Sequence, residues 1–350
     1  MFSNSMKKVL FSFTTLLALI SLVAAGCSDD NDTSSASSTD KPSIVVTTNI
    51  LGDVVTNMVG DSFNVEVIMP PGSDPHDFQA SAQQVQSMME ADLLVVNGAN
   101  FEEGMLDVIA SAKSDGVMVF EAISVVSQLE GSDDHSDHGG HDDHEGHDDH
   151  DEDKDHDEEG HDDHDDHEGH DHGGIDPHFF TDPGRMAVVV EGLSEFLIAN
   201  FPNASQGFVS SASDYAQDLV DLDAEVKEIL SEIPDEEKVL VTNHAVFAYF
   251  AESYGFEILG EIIPSASTLS SANAEQLASL ADEISSNNVK AIFADASASD
   301  TLAQTLASEV GGIEVITLFT ESLGDPGSSG ANYIEMVKFN AQSIASGLVG

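Results

Sequence analysis

The sequence predicts an α/β protein with two lobes, each a parallel-rich sheet flanked by helices, joined by one long rigid helix. Strand-like runs that are apolar throughout alternate with helical segments in both halves of the chain, which is typical of parallel sheets covered on both faces. A stretch between the halves repeats its apolar residues at three-, four- and seven-residue steps, which predicts an amphipathic helix. Ligands in such folds bind beyond the carboxyl ends of the strands, so we expect a binding site in the cleft between the lobes.

Residues 1–27 have the pattern of a lipoprotein signal peptide. Lys7 and Lys8 precede the apolar run Val9–Leu22, and small residues lead to Cys27, the only cysteine of the chain. The apolar run is shorter than the roughly 20 residues that a membrane span needs. The arrangement resembles a bacterial lipobox, which implies a lipidated Cys27 that anchors the protein to the membrane; the alternative is an ordinary secretory signal with an incidental cysteine. The polar residues 28–42 predict a disordered tether.

The N-terminal lobe is expected to span residues 43–201. Its predicted strands are Ser43–Ile50, Asn64–Met69, Asp92–Gly98 and the run VMVFEAI, with helical segments between them. Residues 131–174 interrupt this pattern with a His- and Asp-rich insertion that has too little apolar surface to fold, so we predict disorder there.

The linking helix is predicted over residues 202–234, where Pro234 ends it. The residues of its apolar face are Phe208, Tyr215, Leu219, Leu222, Val226, Ile229 and Ile233. The C-terminal lobe then occupies residues 235–350, with strands KVLVTN, FEILGEI, VKAIFAD and VITLF alternating with helices.

The charge balance indicates which partners the protein can have. The chain has 65 acidic and 10 basic residues and a formal net charge of −55. Binding to nucleic acid requires a cationic surface, so we expect no nucleic-acid partner. Such a negative field instead attracts small cations, without selecting among them.

Three histidines outside the insertion indicate a metal site. Of the 15 histidines, only His76, His178 and His244 lie elsewhere. His76 and His178 both lie in Asp-Pro-His turns, and His76 and His244 both follow predicted buried strands. A single loop histidine is more often structural, but three in such positions favour a shared site in the cleft. Three neutral imidazoles and one oxygen donor form a tetrahedral zinc site, whereas manganese prefers more oxygen ligands.

Two carboxylates that follow strands of the second lobe are candidates for the fourth donor. Asp295 follows VKAIFA and Glu321 follows VITLFT. Either could instead be a solvated loop residue.

Several segments in this order resemble the solute-binding proteins of zinc and manganese ABC importers, the family that includes the high-affinity zinc-uptake receptor with a His-rich loop. The resemblance covers about residues 43–350 and rests on PPGSDPHDF, IDPHFFTDP, VTNHAVFAYFAESYGFE and LFTESLGDPGSSGANYIEMVKFNAQSIASGL. It implies metal ligation by His76, His178 and His244, with the fourth position at Glu321. Manganese-type members usually have Glu at the third position, so His244 favours Zn²⁺ over Mn²⁺. Glu321 replaces the usual Asp, which leaves direct ligation, a water molecule or an open position as alternatives.

The resemblance implies an extracytoplasmic zinc receptor, anchored by lipid to the bacterial cell membrane or periplasmic. It would be a monomer that captures Zn²⁺ as its transported ligand and delivers it to the permease of an ABC importer. The alternatives are an extracellular zinc buffer or adhesin, and a hydrolase with a three-histidine zinc site. The chain has no HExxH or GxSxG motif, so we expect no enzyme and no catalytic residue.

Overall fold

Two parallel four-stranded sheets form the framework of the protein. This computed structural model describes residues 41–131 and 174–349. The first sheet has the strand order β2-β1-β3-β4 and the second β6-β5-β7-β8. The strands are β1 Ser43–Val46, β2 Asn64–Val67, β3 Leu93–Val96, β4 Met118–Glu121, β5 Val239–His244, β6 Glu257–Ile263, β7 Ala291–Asp295 and β8 Glu314–Leu318. All pairs within the two sheets are parallel, so the predicted fold class is confirmed.

Nine α-helices of the described residues cover the sheets. They are α1 Asn49–Val59, α2 Ala82–Glu90, α3 Leu106–Ser114, α4 Pro183–Asn200, α5 Val209–Leu230, α6 Ala248–Tyr254, α7 Ala274–Ser286, α8 Thr301–Glu309 and α9 Tyr333–Val349. Among the described ranges, none of the helices is both long and apolar enough to cross a bilayer.

Local sequence explains where several helices begin and end. The Thr48 hydroxyl accepts a hydrogen bond from the Leu51 amide and caps α1, so β1 ends at Val46 rather than at Ile50 as predicted. Asp182 caps α4, with Pro183 in the first helical position. Gly255 ends α6 in the left-handed conformation, at φ 74°, which costs glycine no steric penalty.

The helix that follows α4 is shorter than the predicted range 202–234. A turn and a short 3₁₀ segment, Ser205–Gly207, precede α5, which runs from Val209 to Leu230. Its buried residues are Ala212, Tyr215, Ala216, Leu219, Leu222, Val226 and Leu230, which follow the predicted apolar face apart from the half-buried Ile229. The helix packs on α1, α4 and α9 and thereby contacts segments from both halves of the chain.

The described residues on either side of the His-rich insertion are joined. The Gly131 amide donates to the Gly174 carbonyl at 2.7 Å, and Glu130 and Ile175 form an antiparallel bridge. The predicted signal peptide, most of the predicted tether and residues 132–173 of the insertion lie outside the described residues. The domain boundaries given above therefore remain predictions.

Candidate metal centre

The four side chains singled out in the sequence lie in one buried cluster. Each of His76, His178, His244 and Glu321 offers one ligand atom, and these atoms all lie within 4.8 Å of one another. All four residues are 2% exposed or less, so the cluster is shielded from water.

The carboxyl ends of the strands bring these residues together. His244 is the last residue of β5, and Glu321 follows β8 by three residues. The His76 amide bonds to Asp74 Oδ1 at 2.9 Å and the His178 amide to Asp176 Oδ1 at 2.8 Å, so the two Asp-Pro-His turns have the same local hydrogen bond. A proline with a fixed φ also precedes each of these histidines, so both turns are restricted before a ligand binds.

Glu321 contacts all three imidazole rings through one oxygen. Its Oε1 lies 2.8 Å from Nε2 of His76 and 3.1 Å from Nε2 of His178 and of His244. The His244 contact is not aligned as a hydrogen bond, and neither ring nitrogen of His244 has a hydrogen-bond partner among the described residues. Glu321 Oε2 is also buried without such a partner. Buried polar atoms are rarely left in this state, so their arrangement fits a bound cation.

Two further carboxylates, which the sequence argument did not assign, orient the rings. Glu103 Oε1 lies 2.9 Å from His76 Nδ1, and Asp176 Oδ1 lies 2.8 Å from His178 Nδ1. A carboxylate only accepts hydrogen bonds, so Nδ1 carries a proton in both rings and Nε2 faces the centre of the cluster. This carboxylate–imidazole arrangement is the usual support of a metal-binding histidine. The position of Asp176 in the Asp-Pro-His turn was the one available sequence signal.

The carboxylates also change the protonation of the rings. Burial alone would lower the pKa of His76, but hydrogen bonds to Glu103 and Glu321, together with their charges, raise it to about 10. Burial likewise opposes charge on His178, but Asp176 and Glu321 raise its pKa. Burial would raise the pKa of Glu321, but the neighbouring His244 and hydrogen bonds from the other two rings lower it well below the ordinary value. A metal ion that binds here competes with protons.

Asp295, the other candidate for a fourth donor, lies outside this cluster. Its Oδ1 accepts from the amide and hydroxyl of Ser297 at 2.6 and 2.8 Å, and its Oδ2 accepts a short hydrogen bond from the Thr320 hydroxyl. Burial, and then the charge of Glu321, raise the pKa of Asp295. The structure thus groups Glu321, rather than Asp295, with the three histidines.

Phenylalanine rings form one wall of the cluster. Phe101 lies edge-on to His76 and His178, with centroids 5.1 and 5.6 Å away, and Phe180 lies 5.9 Å from His178. This apolar wall keeps the local dielectric low, which strengthens the interaction between a cation and Glu321.

Two parallel sheets with a buried cluster of three imidazoles and a carboxylate define a protein that binds a metal cation, and comparison with known proteins gives its family. Residues 44–347 match the model of the family ZnuA, zinc-uptake complex component A, periplasmic, so the chain belongs to that family. Its members are the extracytoplasmic substrate-binding proteins of ABC metal importers and are not enzymes.

Two relatives of similar length are named for manganese. The chain is 26% identical over 343 residues to the manganese-binding lipoprotein MntA of Halalkalibacterium halodurans, with 98% of this chain and 99% of that protein covered. It is 26% identical over 348 residues to the manganese ABC transporter substrate-binding lipoprotein PsaA of Streptococcus pneumoniae, with the same coverage.

Solved structures share the fold. The periplasmic zinc-binding protein TroA from Treponema pallidum superposes with a TM-score of 0.70 at 27% identity, over 88% of this chain and 99% of that one. A cadmium-bound periplasmic metal-binding protein from Candidatus Liberibacter asiaticus also has a TM-score of 0.70, at 19% identity over 88% of this chain and all of that one.

Proposed function

We propose that this protein captures Zn²⁺ and delivers it to the permease of an ABC-type zinc importer. The observation that carries the proposal is the buried cluster in which three Nε2 atoms converge on one carboxylate oxygen. Three imidazole nitrogens and one carboxylate match the donor set and number of a tetrahedral zinc site. His76, His178, His244 and Glu321 would be the ligands.

The choice of zinc over manganese rests on the donor set. Manganese prefers sites richer in oxygen, and this cluster offers one carboxylate to three nitrogens. Imidazole at the third position, His244, supports the same choice. The manganese-binding relatives make Mn²⁺ the competing hypothesis.

Titration of metal into single-site variants tests the ligand set. His76→Ala, His178→Ala and His244→Ala should each lower zinc affinity strongly, because each removes one of four donors from a buried site. A matched control is Asn200→Ala, since Asn200 is exposed and its side-chain amide donates to the Phe196 carbonyl in the same helix, α4. Near wild-type affinity in all three histidine variants would reject the ligand set. Titration of wild type with Zn²⁺ and Mn²⁺ in competition tests the metal.

Delivery and anchoring have separate tests. We propose that Cys27 is lipidated and holds the receptor at the membrane, where it docks on the permease as a monomer. Cys27→Ala should release the protein from the membrane fraction and leave zinc binding intact.

Deletion of the gene tests import. Loss of growth in zinc-poor medium supports import if the wild-type gene or added zinc restores growth. Unaffected growth favours an extracellular zinc buffer or adhesin.

A further inference from the structure

Two buried tyrosine hydroxyls bond to the backbone on either side of His178. The Tyr249 hydroxyl donates to the Asp176 carbonyl at 2.8 Å, and the Tyr333 hydroxyl donates to the Phe180 carbonyl at 2.7 Å. Both tyrosines are 0% exposed. The segment that contains His178 is therefore held at two points, one before and one after the imidazole.

Both tyrosines belong to segments that follow the other site residues along the chain. Tyr249 lies in α6, directly after the strand that ends at His244. Tyr333 is the first residue of α9, the helix that follows the Glu321 loop. The two hydroxyls thus connect the His178 segment to the segments that position His244 and Glu321.

Besides the Asp176 carbonyl, Tyr249 contacts Leu129 and Arg185. Its hydroxyl also accepts a hydrogen bond from the Leu129 amide at 3.0 Å. The guanidinium of Arg185, the only arginine of the chain, lies 4.7 Å from the centre of its ring. Arg185 in turn bonds to Asp182 and Ser253, so the ring has little freedom to move.

Tyr333 is likewise fixed at both ends. Its amide donates to Asp53 Oδ2 in α1 at 3.0 Å, while its hydroxyl holds the Phe180 carbonyl. A tyrosine fixed in this way keeps the distance between α1, α9 and the His178 segment constant.

We propose that Tyr249 and Tyr333 are positioning residues that hold His178 at a fixed place relative to His244 and Glu321 and thereby set the affinity and selectivity of the metal site. The proposal rests on the proposed function, because it takes His178 as a ligand. Zinc requires a small tetrahedral set of donors, whereas Mn²⁺ is satisfied by more ligands in a looser arrangement. A displaced imidazole therefore weakens zinc binding more than manganese binding.

The test compares wild type with Tyr249→Phe and Tyr333→Phe in the mature protein. Each substitution removes one oxygen and keeps the ring, so the packing of the core is retained. Tyr254→Phe is the matched control, because Tyr254 also lies in α6 but its hydroxyl bonds to Asp223 Oδ1, at 3.0 Å, and not to the His178 segment. Zinc and manganese affinities are measured by competition with a chromophoric chelator, and the visible spectrum of added Co²⁺ reports the geometry of the donors.

We expect each of the two variants to bind zinc about 10-fold more weakly, the scale for loss of a group that supports a metal ligand. Manganese affinity should fall less, and the Co²⁺ spectrum should change. Tyr254→Phe should match wild type in all three measurements.

A purely structural role gives a different result. If both variants unfold at lower urea concentration but keep wild-type zinc and manganese affinities and the wild-type Co²⁺ spectrum, the proposal is wrong. If Tyr333→Phe does not fold, the metal affinities and Co²⁺ spectrum of Tyr249→Phe alone decide the proposal, since both hydroxyls hold the same segment. Failure of the proposed function is separately visible, because His178→Ala would then bind zinc like wild type.

Discussion

Glu321 Oε1 lies 2.8 Å from His76 Nε2, although 245 residues separate the two in the chain. The same oxygen lies 3.1 Å from Nε2 of His178 and of His244. One anionic oxygen therefore lies where three imidazole nitrogens converge. Positive charge at this point is favourable whether protons or a metal ion supply it, and the competition between them has measurable consequences.

Metal affinity should rise with pH. The pKa of His76 is raised to about 10, so this ring holds two protons at neutral pH, and the pKa of His178 is also raised. A metal ion at Nε2 must replace a proton, so affinity should increase by about tenfold per pH unit for each ring that is deprotonated on binding. Chelator competition between about pH 6 and pH 8 measures the slope, and calorimetry in buffers of different ionisation enthalpy counts the protons released. A flat profile would contradict the assignment of protonated rings.

The same pKa shift predicts how stability depends on pH when metal is removed by a chelator. A group whose pKa is raised on folding stabilises the folded protein fully when the pH is below its pKa in the unfolded chain, which for His76 is the ordinary 6.5. This contribution is lost as the pH rises through the folded-state pKa of about 10. Urea denaturation should therefore give a lower free energy of unfolding at alkaline pH. Glu103→Gln is the informative comparison, because it removes the carboxylate that contacts His76 Nδ1 and should flatten this dependence.

Neutralising Glu321 should weaken metal binding more than loss of a supporting group does. Glu321→Gln keeps the shape of the side chain but removes the charge and one acceptor at the centre of three rings. We expect zinc affinity to fall at least as far as the roughly 10–100-fold typical of outer-shell substitutions. Asp295→Asn is the matched control, because Asp295 is equally buried but lies outside the cluster. Equal losses in the two variants would contradict the choice of Glu321 as the fourth ligand.

Asn49 joins the His76 loop to the Glu321 loop, and its loss should affect both stability and binding. Its Nδ2 donates to the Pro70 carbonyl at 3.0 Å and to the Ser322 hydroxyl at 2.8 Å, and its Oδ1 accepts from the Leu323 amide at 2.7 Å. Asn49→Ala removes all three hydrogen bonds and leaves the buried Leu323 amide without its acceptor, which should cost about 1–3 kcal/mol of unfolding free energy. It should also weaken zinc binding, because the two loops lose their common support. Thermal unfolding and zinc titration check both effects, and Asn200→Ala, at an exposed position of α4, should change neither.

The alternation of strands and helices was predictable because apolar runs and caps are local signals. Every predicted strand of the two sheets is present, and the errors are at the ends of elements. The strand predicted to reach Ile50 ends at Val46, since the Thr48 cap starts a helix. The helix predicted from Pro202 begins at Val209, since apolar periodicity does not distinguish a turn that contains the buried Phe208 from helix.

The site was predictable in part for the same reason. Loop histidines after strands, together with the resemblance, indicated the four residues that the structure brings together. Glu103 and the two tyrosines could not be found, because their roles depend on contacts between residues far apart in the chain. Glu103, for example, reaches His76 across 27 residues, and nothing in its own neighbourhood distinguishes it from the other acidic residues.

The His-rich insertion should increase zinc capture without forming the selective site. Its twelve histidines recur mostly at three-residue steps among acids and glycines, a pattern that predicts many weak, exchanging sites. The described residues on either side are joined by the bond between Gly131 and Gly174, so a short Gly-Ser turn can replace residues 132–173. The shortened protein should bind one zinc ion with unchanged affinity, because the four clustered side chains are retained, but should support less uptake at limiting zinc.

A full-length variant with these histidines changed to Asn separates the effect of imidazole from that of acidic charge. Unchanged uptake in both variants at limiting zinc would show that the insertion is only a solvated acidic segment.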